Sequence, residues 1–267
     1  MSEGSGGRIE SALRRLRAAG GKALVPYVTG GLGADWVDVV QAVAAAGADA
    51  IEIGIPFSDP VMDGPVIQRA SEHALAMGAT PGAILSAAAH IDADVPLVVM
   101  TYYNIVFRAG HHRFARSLAD AGISGAIIPD LPLDEAGDWL TQAGAAGVEA
   151  ILLAAPTTPD ERLARICAAS RGWVYAVGTM GTTGERDSLA ASALVMGTRT
   201  KAVTDRPVLI GVGVSTPDQA VEAAGAADGV IVGSALVRRL LDGEGPDGAR
   251  DFVSSLRAAL PTPNLRQ

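Results

Sequence analysis

The sequence of 267 residues contains one cysteine, Cys167, so no internal disulfide can form. Lysine occurs only as Lys22 and Lys201, and histidine occurs only four times. No apolar run approaches the ~18 residues that a transmembrane helix needs. These absences exclude a disulfide-stapled scaffold and a membrane-spanning chain. We expect Cys167 to pack in a core, because it shares a helical row with Leu163 and Ile166.

The charge balance disfavours a protein that binds nucleic acid or a membrane surface. Acidic residues outnumber basic ones 29 to 21, and the net charge is -8. The one basic cluster, Arg14-Arg15-Leu16-Arg17, falls in an amphipathic pattern that predicts the solvated face of an N-terminal helix. The stretch 1–7 has neither the charged nor the apolar region of a secretion signal. We therefore expect a small-molecule substrate and a cytoplasmic location.

Short aliphatic, β-branched runs alternate with Ala-rich segments of helical period along the whole chain. About eight βα units in 267 residues predict a single-domain (β/α)8 TIM barrel with an extra N-terminal helix, since an open doubly wound sheet more often stops at about five or six strands. We expect one domain over 1–267, with flexible tails at 1–7 and 261–267. The predicted strands are Ala23–Val28, Ala48–Ile53, Pro96–Tyr102, Gly125–Ile128, Glu149–Leu153, Trp173–Val177, Val208–Val212 and Gly229–Val232.

The second predicted strand carries a glutamate, Glu52, between isoleucines. If the isoleucines face the helices, Glu52 points into the barrel, where desolvation raises the pKa of a carboxyl group toward neutrality. At the carboxyl end of a barrel strand this favours acid–base catalysis over a merely structural glutamate. Asp63 follows on the same βα loop as a second candidate, with helix capping as its alternative role. Asp59 is expected to serve in a turn or at the surface.

Glycine-rich turns follow the last strands. Gly211-Val212-Gly213-Val214-Ser215 and Gly233-Ser234 each precede a helix, an arrangement that lets backbone N–H groups bind a phosphate. A third segment, Gly178–Gly184, is long enough to be a mobile lid, with a plain surface loop as the alternative.

The rare residues narrow the chemistry further. Lys22 lies at the wrong end of the first strand and Lys201 lies before the seventh, so a Schiff-base mechanism lacks its amine. No histidine cluster with metal spacing falls at the strand ends, so we expect no metal. Acid–base chemistry without a cofactor remains, on a substrate that supplies its own electron sink.

One motif is specific to a family. The segment Glu52-Ile53-Gly54-Ile55-Pro56-Phe57-Ser58-Asp59-Pro60, followed by Asp63-Gly64-Pro65, resembles the signature of the tryptophan synthase alpha subunit. The resemblance extends over nearly the whole chain, for example at 24–30, 102–104, 129–132 and 182–184. It implies retro-aldol cleavage of indole-3-glycerol phosphate to indole and glyceraldehyde 3-phosphate, with indole passing to a beta subunit.

The resemblance also implies roles for particular residues. Glu52 would be the acid–base group, and Asp63 would bind the indole N–H. Three positions depart from the commoner family residues, Gly178 and Thr182 in the lid and Val212 in the phosphate loop. Substrate-binding positions would be Tyr27, Tyr102, Ile127, Tyr175, Thr183 and Val212, and phosphate-binding positions would be Gly184, Gly213, Gly233 and Ser234.

Three functional hypotheses remain open at this point. The chain is the alpha subunit of an alpha2beta2 heterotetramer, or a stand-alone lyase that releases free indole, or a catalytically idle barrel that regulates a beta subunit. The presence of both Glu52 and Asp63 argues against the idle barrel. The first two hypotheses share the catalytic pair, so the sequence separates them poorly.

Overall fold

The computed structural model describes residues 6–178 and 191–262. Its eight strands pair in parallel in sequence order and close into a barrel through the pairing of the first with the eighth. This confirms the predicted TIM barrel. The strands are β1 (Ala23–Thr29), β2 (Ile51–Gly54), β3 (Leu97–Met100), β4 (Gly125–Ile127), β5 (Glu149–Ala154), β6 (Val174–Val177), β7 (Val208–Gly211) and β8 (Gly229–Val232).

Helices surround the barrel and follow the predicted alternation. Threonine caps and proline at the first helical position mark two of their starts: the Thr80 hydroxyl accepts from Ala83 N at 3.2 Å, and the Thr216 hydroxyl accepts from Gln219 N at 3.3 Å. The α-helices within the described residues are α1 (Arg8–Ala18), α2 (Trp36–Ala45), α3 (Pro65–Ala76), α4 (Pro81–Ala88), α5 (Tyr103–Ala109), α6 (His111–Asp120), α7 (Gly137–Ala145), α8 (Asp160–Ala169), α9 (Ala191–Lys201), α10 (Pro217–Gly225), α11 (Ser234–Leu241) and α12 (Gly245–Ala259).

Two apolar layers result from the alternation of side chains along the strands. Outward residues such as Ile51, Ile53 and Val99 pack against the helices in the larger cluster, which also contains Cys167, as predicted. Inward residues form a smaller cluster inside the barrel. That inner cluster includes Ile9, Val25, Val98, Ile127, Ile151, Trp173, Leu209 and Ile231.

The predicted N-terminal helix α1 closes the amino-terminal end of the barrel. Ile9 is fully buried in the inner cluster. The carboxylate of Glu149, on β5, accepts from Ile9 N at 2.7 Å and from Glu10 N at 3.0 Å. It therefore binds the free N–H groups of the first turn of α1, although it lies far along the chain. Gly7 leaves room for this, since a Cβ there would lie 2.3 Å from the Glu149 carboxyl carbon.

The arginines of the basic cluster tie α1 to the same end of the barrel. Arg14 and Arg17 pair with Asp205 at 2.7 and 3.0 Å. Such partly exposed pairs stabilise by about 0 to 1 kcal/mol each. Within 6–178 and 191–262, no helix is both long enough and apolar enough to cross a membrane.

Candidate active site

A pocket of about 750 Å³, part of it open to solvent, lies at the carboxyl ends of the strands. The predicted site residues in its wall come from three strands and three strand ends. The strands are β1, β2 and β6, and the other residues follow β2, β7 and β8. It therefore lies where barrel enzymes place their active sites. The predicted site residues that line it are Tyr27, Glu52, Asp63, Tyr175, Val212, Gly213, Gly233 and Ser234.

Glu52 points into this pocket from β2, as the alternation predicted. Its side chain lies across from Tyr27, its register partner on β1, and the residue is 1% exposed. Among the described residues, its Oε1 atom has no hydrogen-bond partner. Burial raises the pKa of this carboxyl group from 4.5 to about 8. Glu52 is therefore protonated at neutral pH and can donate a proton.

Asp63 reaches the pocket from the loop between β2 and α3. Burial raises its pKa from 3.8 to about 6, and a hydrogen bond from Tyr102 opposes that rise. At neutral pH it is therefore mostly a carboxylate. Gly64 occupies the N-cap position of α3, so Asp63 is not the capping residue. The two acidic groups thus differ in protonation state at neutral pH: one can donate a proton, and the other carries negative charge.

Two glycines make room for the tyrosines of the wall. A Cβ on Gly54 would lie 1.8 Å from the Tyr27 hydroxyl, and a Cβ on Gly211 would lie 2.6 Å from the Tyr175 hydroxyl. Each tyrosine therefore lies across a glycine of the neighbouring strand. Sequence reasoning assigned neither glycine this role, although both stand at inward positions of their strands.

Two predicted substrate-binding residues do not line the pocket. Tyr102 lies behind the loop of Asp63, stacked on Phe57 with ring centroids 5.1 Å apart. Its hydroxyl accepts from Met62 N at 3.0 Å, so it contacts the loop rather than the cavity. Ile127 is fully buried in the inner cluster below the pocket. Strand alternation predicts which face a residue occupies, but it does not predict its depth along the barrel axis.

The two predicted phosphate loops after β7 and β8 both contribute to the pocket wall. Gly213 adopts a φ of 75°, which favours glycine. Ser234 begins α11 and Gly233 precedes it, and both residues line the cavity, so the N-terminus of this helix borders the pocket. Thr182, Thr183 and Gly184 lie outside the described residues. Gly178 is described, and its N–H donates to Gly211 O at 3.3 Å.

Several apolar wall residues were missed in the sequence. Met62 lies on the loop between β2 and α3, and Ile67 lies on α3. The others stand near the strand ends, mostly two positions after an inward residue, and this spacing could have identified them. Together they form a wall suited to a flat apolar ring. These residues are Met62, Ile67, Met100, Pro129, Leu153, Val177 and Ile231.

The pocket thus combines a buried protonated carboxyl group, a carboxylate, an apolar wall and the glycine turns that the sequence predicts to bind phosphate. Within 6–178 and 191–262, no group of three or more His, Cys, Asp or Glu side chains could hold a metal ion. The arrangement suits acid–base cleavage of a phosphorylated substrate that carries an apolar ring.

Known proteins of one family match the chain over nearly its full length. The family model described as tryptophan synthase alpha chain matches residues 13–259. The tryptophan synthase alpha chain of Thermobifida fusca is 46% identical over 262 residues, covering 94% of this chain and 97% of that one. The corresponding chain of Halorhodospira halophila is 44% identical, covering 95% and 96%.

A comparison with solved structures identifies the same family. A chain from the structure of Mycobacterium tuberculosis tryptophan synthase in space group F222 superposes with a TM-score of 0.90 at 43% identity. That match covers 96% of this chain and 99% of the other. The chain belongs to the tryptophan synthase alpha chain family and is a lyase of tryptophan biosynthesis that cleaves indole-3-glycerol phosphate to indole and glyceraldehyde 3-phosphate.

Proposed function

We propose that Glu52 is the acid–base group of this lyase and that Asp63 stabilises the positive charge that develops on the indole ring. The observation that carries the proposal is the pairing, in one pocket, of a buried proton donor with a carboxylate. The presence of both groups supports a working enzyme over the idle barrel.

The reaction begins when protonated Glu52 donates its proton to C3 of the indole ring. The product is an indolenium cation, which accepts the electron pair of the breaking C–C bond. Deprotonated Glu52 then removes the proton of the glycerol hydroxyl next to that bond, which leaves indole and the aldehyde. One proton is given and one is taken, so Glu52 returns to its starting state. The substrate supplies the electron sink, so the proposal needs no cofactor.

Asp63 binds the indole N–H and holds its negative charge near the ring nitrogen. That charge is most stabilising when the ring is cationic, so it lowers the barrier more than it strengthens ground-state binding. The apolar wall, with Tyr27, Tyr175 and Val212, would hold the ring and the glycerol chain. Gly213, Gly233 and Ser234 would bind the phosphate. For Thr183, Gly184 and the lid, the roles implied by the resemblance stay predictions.

We also propose that the chain works with a beta subunit in an alpha2beta2 assembly. We place this assembly in the cytoplasm, and we propose that residues 1–267 form one domain. Val61 and Phe107 are 68% and 64% exposed near the carboxyl-terminal face of the barrel. A second pocket of about 1170 Å³, partly open to solvent, shares wall residues with the first. The shared residues are Met62, Pro129, Leu153 and Val177.

The decisive experiment is indole-3-glycerol phosphate cleavage by the purified chain, titrated with the beta subunit from the same source. Saturable activation that Asp59→Ala diminishes supports the subunit proposal, because exposed Asp59 lies on the loop that carries Asp63. A tenfold activation requires about 1.4 kcal/mol of preferential binding to the active state. Full activity alone, with no response to the partner, favours the stand-alone lyase.

A further inference from the structure

The backbone on either side of the Asp63 N–H is held by two side chains from different elements. The Tyr102 hydroxyl, just before α5, accepts from Met62 N at 3.0 Å. The amide of Gln68, in the first turns of α3, donates from Nε2 to Asp63 O at 2.8 Å. A two-residue segment is therefore fixed at its first N–H and at its last carbonyl.

Gln68 itself does not line the pocket, whereas its neighbour Ile67 does. Its amide is partly buried, and the hydrogen bond to Asp63 spans five residues. Helix α3 keeps its own N-cap at Gly64 and a proline at its first position, so it does not need the Gln68 side chain to begin. The hydrogen bond acts on the loop rather than on the helix.

We propose that Gln68 is a positioning residue for the cleavage reaction, acting by holding the main chain of Asp63 so that its carboxylate stays against the indole nitrogen. The inference rests on the proposed role of Asp63. A carboxylate on a loop stabilises a developing charge only if the loop does not have to reorganise during the reaction. Tyr102 restrains one end of the segment and Gln68 restrains the other.

Loss of the Gln68 amide should therefore change turnover more than substrate binding. The phosphate loops and the apolar wall stay intact, and they would account for most of the affinity of the substrate. The charge on the ring appears only during the reaction, so a displaced Asp63 raises the barrier selectively. The Asp63 carboxyl group would also gain contact with water, which would lower its pKa toward the ordinary value.

The test compares Gln68→Met, which keeps the side-chain length but lacks the donor, with Gln68→Glu, which places a carboxylate beside the Asp63 carbonyl. Gln41→Met, on α2, is the matched control. We expect kcat for indole-3-glycerol phosphate to fall about tenfold or more in Gln68→Met and further in Gln68→Glu. KM should change by less than about twofold, and the control should match the parent chain.

Two further measurements separate positioning from a general loss of structure. Inhibition by glycerol 3-phosphate, which has no indole ring, should be unchanged in Gln68→Met. The acidic limb of its kcat profile, which reports groups in the enzyme–substrate complex, should move to lower pH. Among the described residues, the other titratable groups that face Asp63 are Tyr102 beside it and Tyr27, Glu52 and Tyr175 in the same pocket. The substitution changes none of these groups.

Unchanged kcat in both folded Gln68 variants would overturn the inference, as would a parallel loss of turnover and of glycerol 3-phosphate binding. Asp63→Asn tells this failure apart from a failure of the proposed function. If Asp63→Asn stays active, the proposed role of Asp63 is wrong. If Asp63→Asn is inactive while the Gln68 variants are fully active, only the role of Gln68 is wrong.

Discussion

Tyr27 and Glu52 lie opposite each other on the neighbouring strands β1 and β2, and both side chains face the pocket. Tyr27 supplies no charge compensation, because a tyrosine has no cationic form. Burial also raises the pKa of its hydroxyl well above the ordinary range, so the hydroxyl stays neutral. Desolvation therefore controls the protonation of Glu52. Within the part of the chain that the structure describes, the barrel removes water from this carboxyl group without providing a cation, so the group stays protonated at higher pH.

Replacing Glu52 with glutamine should abolish cleavage while preserving the fold. The amide fills nearly the same volume but cannot give and take a proton at the substrate. Steady-state cleavage of indole-3-glycerol phosphate and circular dichroism would measure the two effects. Retention of more than a few per cent of the parent activity would remove Glu52 from the acid–base role.

Glu149→Gln is the matched control for Glu52→Gln. Glu149 is a second buried glutamate of the same barrel, but its role is structural. Glu149→Gln keeps one acceptor oxygen but loses the charge that the first turn of α1 favours. We expect a loss of about 1 to 3 kcal/mol in the free energy of unfolding, with kcat unchanged. Denaturant unfolding and the cleavage assay give the two values, and a loss of turnover without a loss of stability would contradict this division of roles.

The pH dependence of kcat/KM should be bell-shaped. By the proposed mechanism, cleavage requires protonated Glu52, so activity should fall as pH rises through about 8. It also requires ionised Asp63, so activity should fall as pH drops through about 6. The second ionisation of the substrate phosphate also lies near 6, which makes the basic limb the diagnostic one. A profile that stays flat to pH 10 would exclude Glu52 as the initial proton donor.

The raised pKa of Glu52 also predicts how the stability of the protein depends on pH. The pKa of Glu52 is raised from 4.5 to about 8, so between these values the folded state binds more protons than the unfolded state. Its contribution to stability is complete below 4.5, declines as pH rises through this window and is lost above about 8. Glu52→Gln should flatten this part of the stability profile, as measured by unfolding at several pH values.

Tyr102→Phe should move the acidic limb of the activity profile to higher pH. The hydrogen bond from Tyr102 lowers the pKa of Asp63, and its loss leaves burial unopposed. The Met62 N–H also loses its acceptor. The lost hydrogen bond is made to the Asp63 carboxylate itself. We therefore expect its loss to raise the pKa of Asp63 by more than a looser loop would lower it. The direction is opposite to the one expected for Gln68→Met, so the two pH profiles test the two restraints separately.

Gly54→Ala should destabilise the protein and impair cleavage, because the added Cβ would lie 1.8 Å from the Tyr27 hydroxyl. Overpacking of this kind costs about 1 to 3 kcal/mol. Gly82→Ala on α4 is the control, since a Cβ there meets no atom within 4 Å. It should raise stability slightly, by about 0.5 to 1 kcal/mol. Equal stability of the two variants in denaturant unfolding would show that the pocket accommodates the methyl group.

The sequence by itself determined the barrel and the candidate proton donor. Eight aliphatic runs separated by helical segments allow few other folds, because each strand needs a helix to cover its outer face. Alternation within Ile51-Glu52-Ile53 turned the carboxyl group inward, and glycines before the last helices indicated an anion site. These features are local, so their signals lie within a few residues of one another.

Only the tertiary structure decided which side chains share a wall and which support it. Ile127 lies below the pocket and Tyr102 lies behind a loop, because depth in a barrel depends on the stagger of all eight strands. Glu149 binds the first turn of α1 across 140 residues, a contact with no local sequence pattern. The alternation of side chains along a strand determines which face of the sheet a residue occupies. The residues that it contacts depend on the packing of the whole chain.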